Sequence, residues 1–133
     1  MAVPNWVYEA VFYQIFPDRF ANGDLSNDPP NLRPWGSKPD VSHFMGGDLE
    51  GIRQHLDYLN DLGINAIYLN PIFLSPSTHR YNIVDYFQVD PKLGNLDEFL
   101  RLLKEAHERG IRIILGEQFR DPVAGFPEFL NIF

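Results

Sequence analysis

The chain has no cysteine. Disulfides, thiolate metal sites and a cysteine nucleophile are therefore excluded, and the redox compartment stays open. No apolar run approaches the roughly 18 residues of a membrane-spanning helix, so no membrane partner is expected. The opening residues Met1-Ala2-Val3-Pro4-Asn5-Trp6 lack the basic and apolar regions of a secretion signal. A cytoplasmic protein fits, as does a secreted one whose signal has been removed. Positive charge is scarce: 11 Lys and Arg stand against 18 Asp and Glu, a net charge of -7. Phosphate backbones are bound through clustered basic residues, so no nucleic-acid partner is expected. The balance suits a neutral substrate or a divalent cation. There is no Gly-rich phosphate loop and no serine in a nucleophile elbow. His43, His55, His79 and His107 are too widely spaced for a paired-histidine metal motif.

What is present is apolar and aromatic. Hydrophobic residues make up 44% and aromatic residues 14% of the 133 positions, which suits one domain with a packed core. Residues 7–16 are rich in aromatic and branched side chains and predict a buried strand. Residues 22–42 are dense in Pro, Gly, Asn, Asp and Ser and predict a long ordered loop. Leu49, Ile52, Leu56, Leu59 and Leu62 recur at spacings of three and four, the apolar stripe of an amphipathic helix. Gly63 is its expected left-handed stop. Residues 64–69 predict a second strand and residues 70–94 a second long loop. Asn95 with Glu98 three residues later predicts a capped helix start, with Phe99, Leu102, Leu103 and Ala106 on its buried side. Residues 111–115 predict a third strand. Strand–helix–strand–helix–strand alternation implies parallel strands with helical crossovers, and binding groups then gather in the loops after the strands.

Both long loops carry candidate chemistry. Asn22, Asp24, Asn27 and Asp28 lie within seven residues around Gly23, and Gly46 with Asp48 can add a carbonyl and a carboxylate. Amide, carboxylate and carbonyl oxygens are the donors Ca²⁺ prefers, although the same residues also simply make turns. In the second loop, His79, Tyr81 and Asn82 offer an aromatic face and hydrogen-bonding groups for a sugar. A buried tyrosine and a loop histidine satisfied by backbone would look the same.

Separate motifs in order add a resemblance. Val11-Phe12-Tyr13-Gln14-Ile15-Phe16-Pro17-Asp18-Arg19-Phe20 leads, followed by Asn22-Gly23-Asp24 and Gly46-Gly47-Asp48. His79-Arg80-Tyr81-Asn82-Ile83-Val84-Asp85-Tyr86 completes the series. This resembles the start of the catalytic barrel of the α-amylase family of glycoside hydrolases, family 13, in its cyclodextrinase, neopullulanase and maltogenic-amylase branch. The resemblance implies binding and hydrolysis of α-1,4-linked glucans such as starch, maltodextrin or cyclodextrin. It implies that Tyr81 stacks on the glucose at the cleavage point with His79 beside it, and that Tyr13 lies near the base of the cleft. It also implies a structural calcium ion held by Asn22, Asp24, Asn27, Asp28, Gly46 and Asp48. Asn82 stands where the family usually has Asp.

After the third strand the family pattern Asp-x-x-x-Asn-His is replaced by Gly116-Glu117-Gln118-Phe119-Arg120-Asp121. Alternatively, Gly116-Glu117 followed by Phe119 resembles the family's fifth-strand segment, whose glutamate is the general acid, so Glu117 is the candidate catalytic residue. The segment that carries the family's nucleophile is missing, and retaining glycosidases need two carboxyl groups about 5–5.5 Å apart. Whether the chain catalyses alone is thus left open, and a calcium-stabilised, non-catalytic sugar-binding remnant or a self-assembling half-barrel is the alternative. The expected architecture is α/β: residues 1–133 as a single truncated α-amylase-like domain, a partial (β/α)8 barrel of about three strand–helix units. Unpaired strand edges and the apolar stretch 126–133 point to completion as a homo-oligomer.

Overall fold

The computed structural model describes residues 3–116, so Glu117 and the apolar stretch 126–133 lie outside the described residues. Strands β1 (Phe12–Ile15), β2 (Ala66–Leu69) and a later strand at Arg112–Leu115 form one parallel sheet with β2 in the centre. Register aligns Tyr13 with Ile67 and Ile113, and Ile15 with Leu69 and Leu115. Side chains alternate between faces along a strand, so these six share one face. Ile15, Ile67, Leu69 and Ile113 belong to the buried core, and Tyr13 and Leu115 pack against it. The opposite face carries Phe12, Gln14, Tyr68 and Ile114, which keep solvent exposure.

The helical layer covers the first face. After β1 comes a single turn, α1 (Pro17–Phe20), then a long loop to Asp48. The expected helix after it is two pieces, α2 (Leu49–Gln54) and α3 (Leu56–Asp61). The break falls at His55, whose Nδ1 bonds the Gly51 carbonyl at 2.7 Å and whose ring meets Phe20 edge-on. A side chain that takes a backbone carbonyl in this way competes with the helical ladder. The stripe nonetheless buries Leu49, Ile52, Leu56 and Leu59 completely, whereas Leu62 stays exposed. Gly63 adopts φ +86°, the left-handed stop that its position implied.

The second long loop contains a two-stranded antiparallel sheet, β3 (Phe73–Leu74) with β4 (Asp85–Val89). Next, α4 (Leu96–Glu108) begins with the expected reciprocal cap between Asn95 and Glu98 and buries Phe99, Leu102, Leu103 and Ala106. β5 (Arg112–Leu115) closes the described sheet. At the other end, the expected strand over residues 7–16 shortens to β1, preceded by a 3₁₀ turn at Asn5–Glu9. Among the described residues no helix is long and apolar enough to cross a membrane.

Arg53 clamps α2 to α4. Its guanidinium donates to both Glu50 oxygens, at 2.6 and 2.7 Å, and to both Glu105 oxygens, at 3.0 and 3.2 Å. The hydrogen bonds from Arg53 hold the Glu50 carboxyl down at about 2, against an ordinary value of 4.5. A depressed carboxylate contributes stability above its unfolded pKa and loses it as pH falls through the folded one. Between pH 4.5 and about 2 the domain should therefore lose about 1 kcal/mol from this partly screened clamp. Urea titrations at stepped pH check this: Glu50→Gln should flatten that part of the profile, and an unchanged profile would remove the clamp from the account.

Candidate functional site

All candidate residues on the described chain except Tyr13 sit in the two loops that follow β1 and β2. The first loop is closed at its neck by backbone. The Asp48 amide donates to the Ala21 carbonyl and the Gly47 amide to the Asp18 carbonyl, each at 3.0 Å. Asp18 is buried, and its carboxylate accepts the amides of Met45 and Gly46 at 3.1 Å. Asp48 works from the other side of the neck. Its Oδ1 accepts the amides of Gly23 (3.0 Å) and Gly51 (2.6 Å), and its Oδ2 accepts Asp24 N (2.9 Å) and Asn27 Nδ2 (3.1 Å). A carboxylate offers about four lone-pair positions, so Asp48 is saturated as the cap of α2 and the anchor of the loop.

The other candidate cation ligands gather beside it. Asn22 Nδ2 donates to Asp28 Oδ1 at 2.7 Å. Gly46, at φ +88°, lies so close that an added Cβ would stand 2.9 Å from Asn22 Nδ2 and 3.0 Å from Asp28 Oδ1. Asp24 turns its carboxylate to Ser26, accepting from both its amide and its hydroxyl, and this holds the Asp24 carboxyl below its ordinary value. Both amide groups that face the carboxylates have a fixed sense, because a carboxylate accepts only from the N–H end. That leaves Asn22 Oδ1 and Asn27 Oδ1 buried with no hydrogen-bond partner. Two orphaned acceptors, one on the amide bonded to Asp28 and one on the amide bonded to Asp48, are hard oxygens of the kind that Ca²⁺ takes. Among the described residues no cluster of three or more His, Cys, Asp or Glu could hold a metal, so a cation here would rest largely on amide and carbonyl oxygen.

The second loop brings together His79, Tyr81 and Asn82. The rings of His79 and Tyr81 stack with centroids 6.1 Å apart and planes at 26°. The Tyr81 amide donates to His79 Nδ1 at 3.1 Å. An accepting Nδ1 places the proton of a neutral imidazole on Nε2, which makes His79 a donor through that nitrogen. Asn82 Oδ1 accepts the Ser75 hydroxyl at 2.7 Å and also bonds Ser77 Oγ. It orders the loop's interior through two hydroxyls, a role a carboxylate could share. Tyr13 is elsewhere in contact: its ring meets Phe20 edge-on at 6.2 Å on the helix-covered face. Glu117 lies outside the described residues. Sequence reasoning did not see Asp18 as an anchor and gave Arg80, quoted only as part of its motif, no role, although an arginine between two candidate sugar-contacting residues was a legible signal.

The α-amylase catalytic-domain family model matches residues 14–117. A cyclomaltodextrinase from Thermoanaerobacter pseudethanolicus is 53% identical over 87% of this chain and 20% of its own length. The intracellular maltogenic amylase of Bacillus subtilis strain 168 is 50% identical over 97% of this chain and 22% of its own. The cyclic α-maltosyl-(1→6)-maltose hydrolase of Arthrobacter globiformis, solved with cyclic α-maltosyl-(1→6)-maltose, matches at TM-score 0.84 and 54% identity. That match covers 86% of this chain and 26% of the hydrolase chain. The chain thus spans about a fifth of the length of these curated relatives.

Proposed function

Because the chain belongs to the α-amylase family, we propose that it binds α-glucans, maltodextrins and cyclodextrins among them, as part of a glycoside hydrolase barrel. One observation carries the reading: the exposed His79 stacked on the half-buried Tyr81, with its imidazole proton on Nε2, on the loop that follows β2. An aromatic face covers the apolar side of a sugar ring while a fixed donor selects a hydroxyl. The names of the relatives (cyclomaltodextrinase, maltogenic amylase, a hydrolase of a cyclic maltosaccharide) support this substrate class and hydrolysis as the reaction. Hydrolysis with retention needs a protonated acid and an ionised nucleophile together, and Glu117 is the residue proposed as acid. A relative named intracellular supports a cytoplasmic location.

A structural calcium ion is part of the proposal. Asn22 and Asn27 through their orphaned oxygens, Asp28 through its carboxylate and Gly46 through its carbonyl would hold it, with Asp24 and Asp48 shaping the loop around them. Bound there, the ion supplies positive charge that satisfies buried acceptors, and it takes no part in bond cleavage. The barrel itself requires further strands beside β1 and β5, the two edges of the described sheet. A second copy of the chain is the source we propose.

Calorimetric titration with β-cyclodextrin and maltoheptaose tests the reading, with light scattering on the same sample for the oligomer. Wild type should bind, and Tyr81→Ala should weaken binding at least tenfold, about 1.4 kcal/mol. No heat with either glucan would sink the proposal, and a monomer by scattering would remove its oligomeric part. Release of reducing sugar that disappears in Glu117→Gln would add catalysis.

A further inference from the structure

Arg80 stands between His79 and Tyr81 and is turned away from both. It is 1% exposed and among the largest fully buried side chains, whereas His79 is exposed. Its backbone has φ +60°, a left-handed conformation that persists at a side-chain-bearing residue only where the surroundings over-determine it. The surroundings come from three chain segments. Arg80 Nε donates to Asp90 Oδ2 at 2.9 Å, just past β4, and Nη1 donates to the Thr78 carbonyl at 3.1 Å. The guanidinium lies 5.5 Å from the ring centre of Phe44, at the far end of the first loop. Lys92 Nζ reaches the same ring at 5.4 Å and the other Asp90 oxygen at 3.6 Å.

Stability alone is a poor reason for this arrangement. Asp90 is fully buried, and Arg80 Nη2 is buried without a hydrogen-bond partner. Buried ion pairs often stabilise no better than apolar residues of equal volume. What the anchor does supply is direction. With its side chain pinned inward at a left-handed residue, the chain leaves His79 exposed with Tyr81 half-buried against it, and the Tyr81 amide meets His79 Nδ1.

We propose that Arg80 is a positioning residue for glucan binding: its anchorage on Asp90 and Phe44 keeps His79 and Tyr81 stacked and facing the sugar. This rests on the glucan-binding reading above and adds to it the residue that orients the pair.

Arg80→Lys keeps the charge and loses the planar fork; Arg80→Met loses both. Each is read in two ways on the full chain. Amide exchange at Tyr81 and the His79 ring resonances report the turn without any sugar present, and β-cyclodextrin titration reports its use. We expect a lower thermal midpoint, more so in Arg80→Met, which leaves the buried Asp90 carboxylate without its main partner. At temperatures where the fold is intact, both variants should show Tyr81 exchange at least tenfold faster, shifted His79 signals, and cyclodextrin binding weakened at least tenfold. Unchanged exchange and ring signals in both variants would overturn the proposal, as would weakened binding that merely tracked lost stability. Should Arg80→Met fail to fold, Phe44→Leu, which leaves the ion pair in place, must produce the same exchange and binding changes, or the proposal falls. Absence of cyclodextrin binding by the wild-type chain would overturn the glucan reading, while Tyr81 exchange would still decide whether Arg80 orients the pair.

Discussion

Gly51→Ala will destabilise the domain by about 3 kcal/mol, reversing the sign expected for this exchange in a helix. Glycine inside a helix ordinarily costs about 1 kcal/mol relative to alanine, and Gly51 lies within α2. At this position, however, an added Cβ would stand 2.0 Å from the Ala21 carbonyl oxygen and 2.5 Å from its carbon. The obstacle is backbone, and that carbonyl is already fastened by the Asp48 amide at 3.0 Å. Neither side has a rotamer with which to retreat. Overpacking of this kind typically costs 1–3 kcal/mol and occasionally more. The displaced groups would also include the Gly51 amide that Asp48 accepts at 2.6 Å. Gly63→Ala is the comparison, because Gly63 is left-handed but has open space around it, and strain alone should cost about 1 kcal/mol. Urea unfolding of the two variants gives the ranking. A neutral or stabilising Gly51→Ala would mean that the loop neck is looser than its hydrogen bonds imply.

Calcium should raise the melting temperature by about 10 °C and a chelator should return it. A ligand at a hundred times its Kd adds about 2.7 kcal/mol to the folded state, and 1 kcal/mol shifts a domain of this size by about 4 °C. The physical reason is the pair of orphaned oxygens, Asn22 Oδ1 and Asn27 Oδ1, buried on amides that Asp28 and Asp48 hold. A buried acceptor without a donor costs about 1–3 kcal/mol, and a bound cation recovers that loss for both at once. Asn27→Ala should remove most of the calcium response while lowering the calcium-free melting temperature only modestly, since its one bond to Asp48 is among four. Scanning calorimetry with calcium and with chelator decides the matter. Identical melting in both, for wild type, would leave the loop as a set of turns with no metal.

Much of the frame was legible in the residues. Asn95 and Glu98 form the reciprocal cap their spacing implied, and Gly63 adopts the left-handed stop. These features are local, so the chain states them directly. The stripe Leu49, Ile52, Leu56 and Leu59 is buried as its period required. The same period carried the helix straight through His55 and included Leu62. Periodicity reports which face is apolar and is blind to a side chain that captures a carbonyl, as His55 does with Gly51. The strand predicted over residues 7–16 shrank because only Phe12–Ile15 finds a partner strand, and pairing is a property of two segments.

For the candidate site, residue type together with the resemblance in motif order named Asn22, Asn27, Asp28, Gly46, His79, Tyr81 and Asn82 as candidates, because oxygen donors and aromatic rings are chemical identities. Roles within each group were another matter. Asp48 and Asp28 read alike along the chain, yet Asp48 spends all its acceptor capacity on four N–H groups while the oxygens orphaned by that arrangement belong to asparagines. Arg80 and Tyr81 are adjacent, yet one is buried on Asp90 and the other lies against His79. The sequence by itself determined the parallel strand–helix frame, the helix ends and the chemical character of both loops. Only the tertiary structure decided which carboxylate caps and which acceptors stay open, since hydrogen-bond capacity is consumed by neighbours that are near in space and distant along the chain.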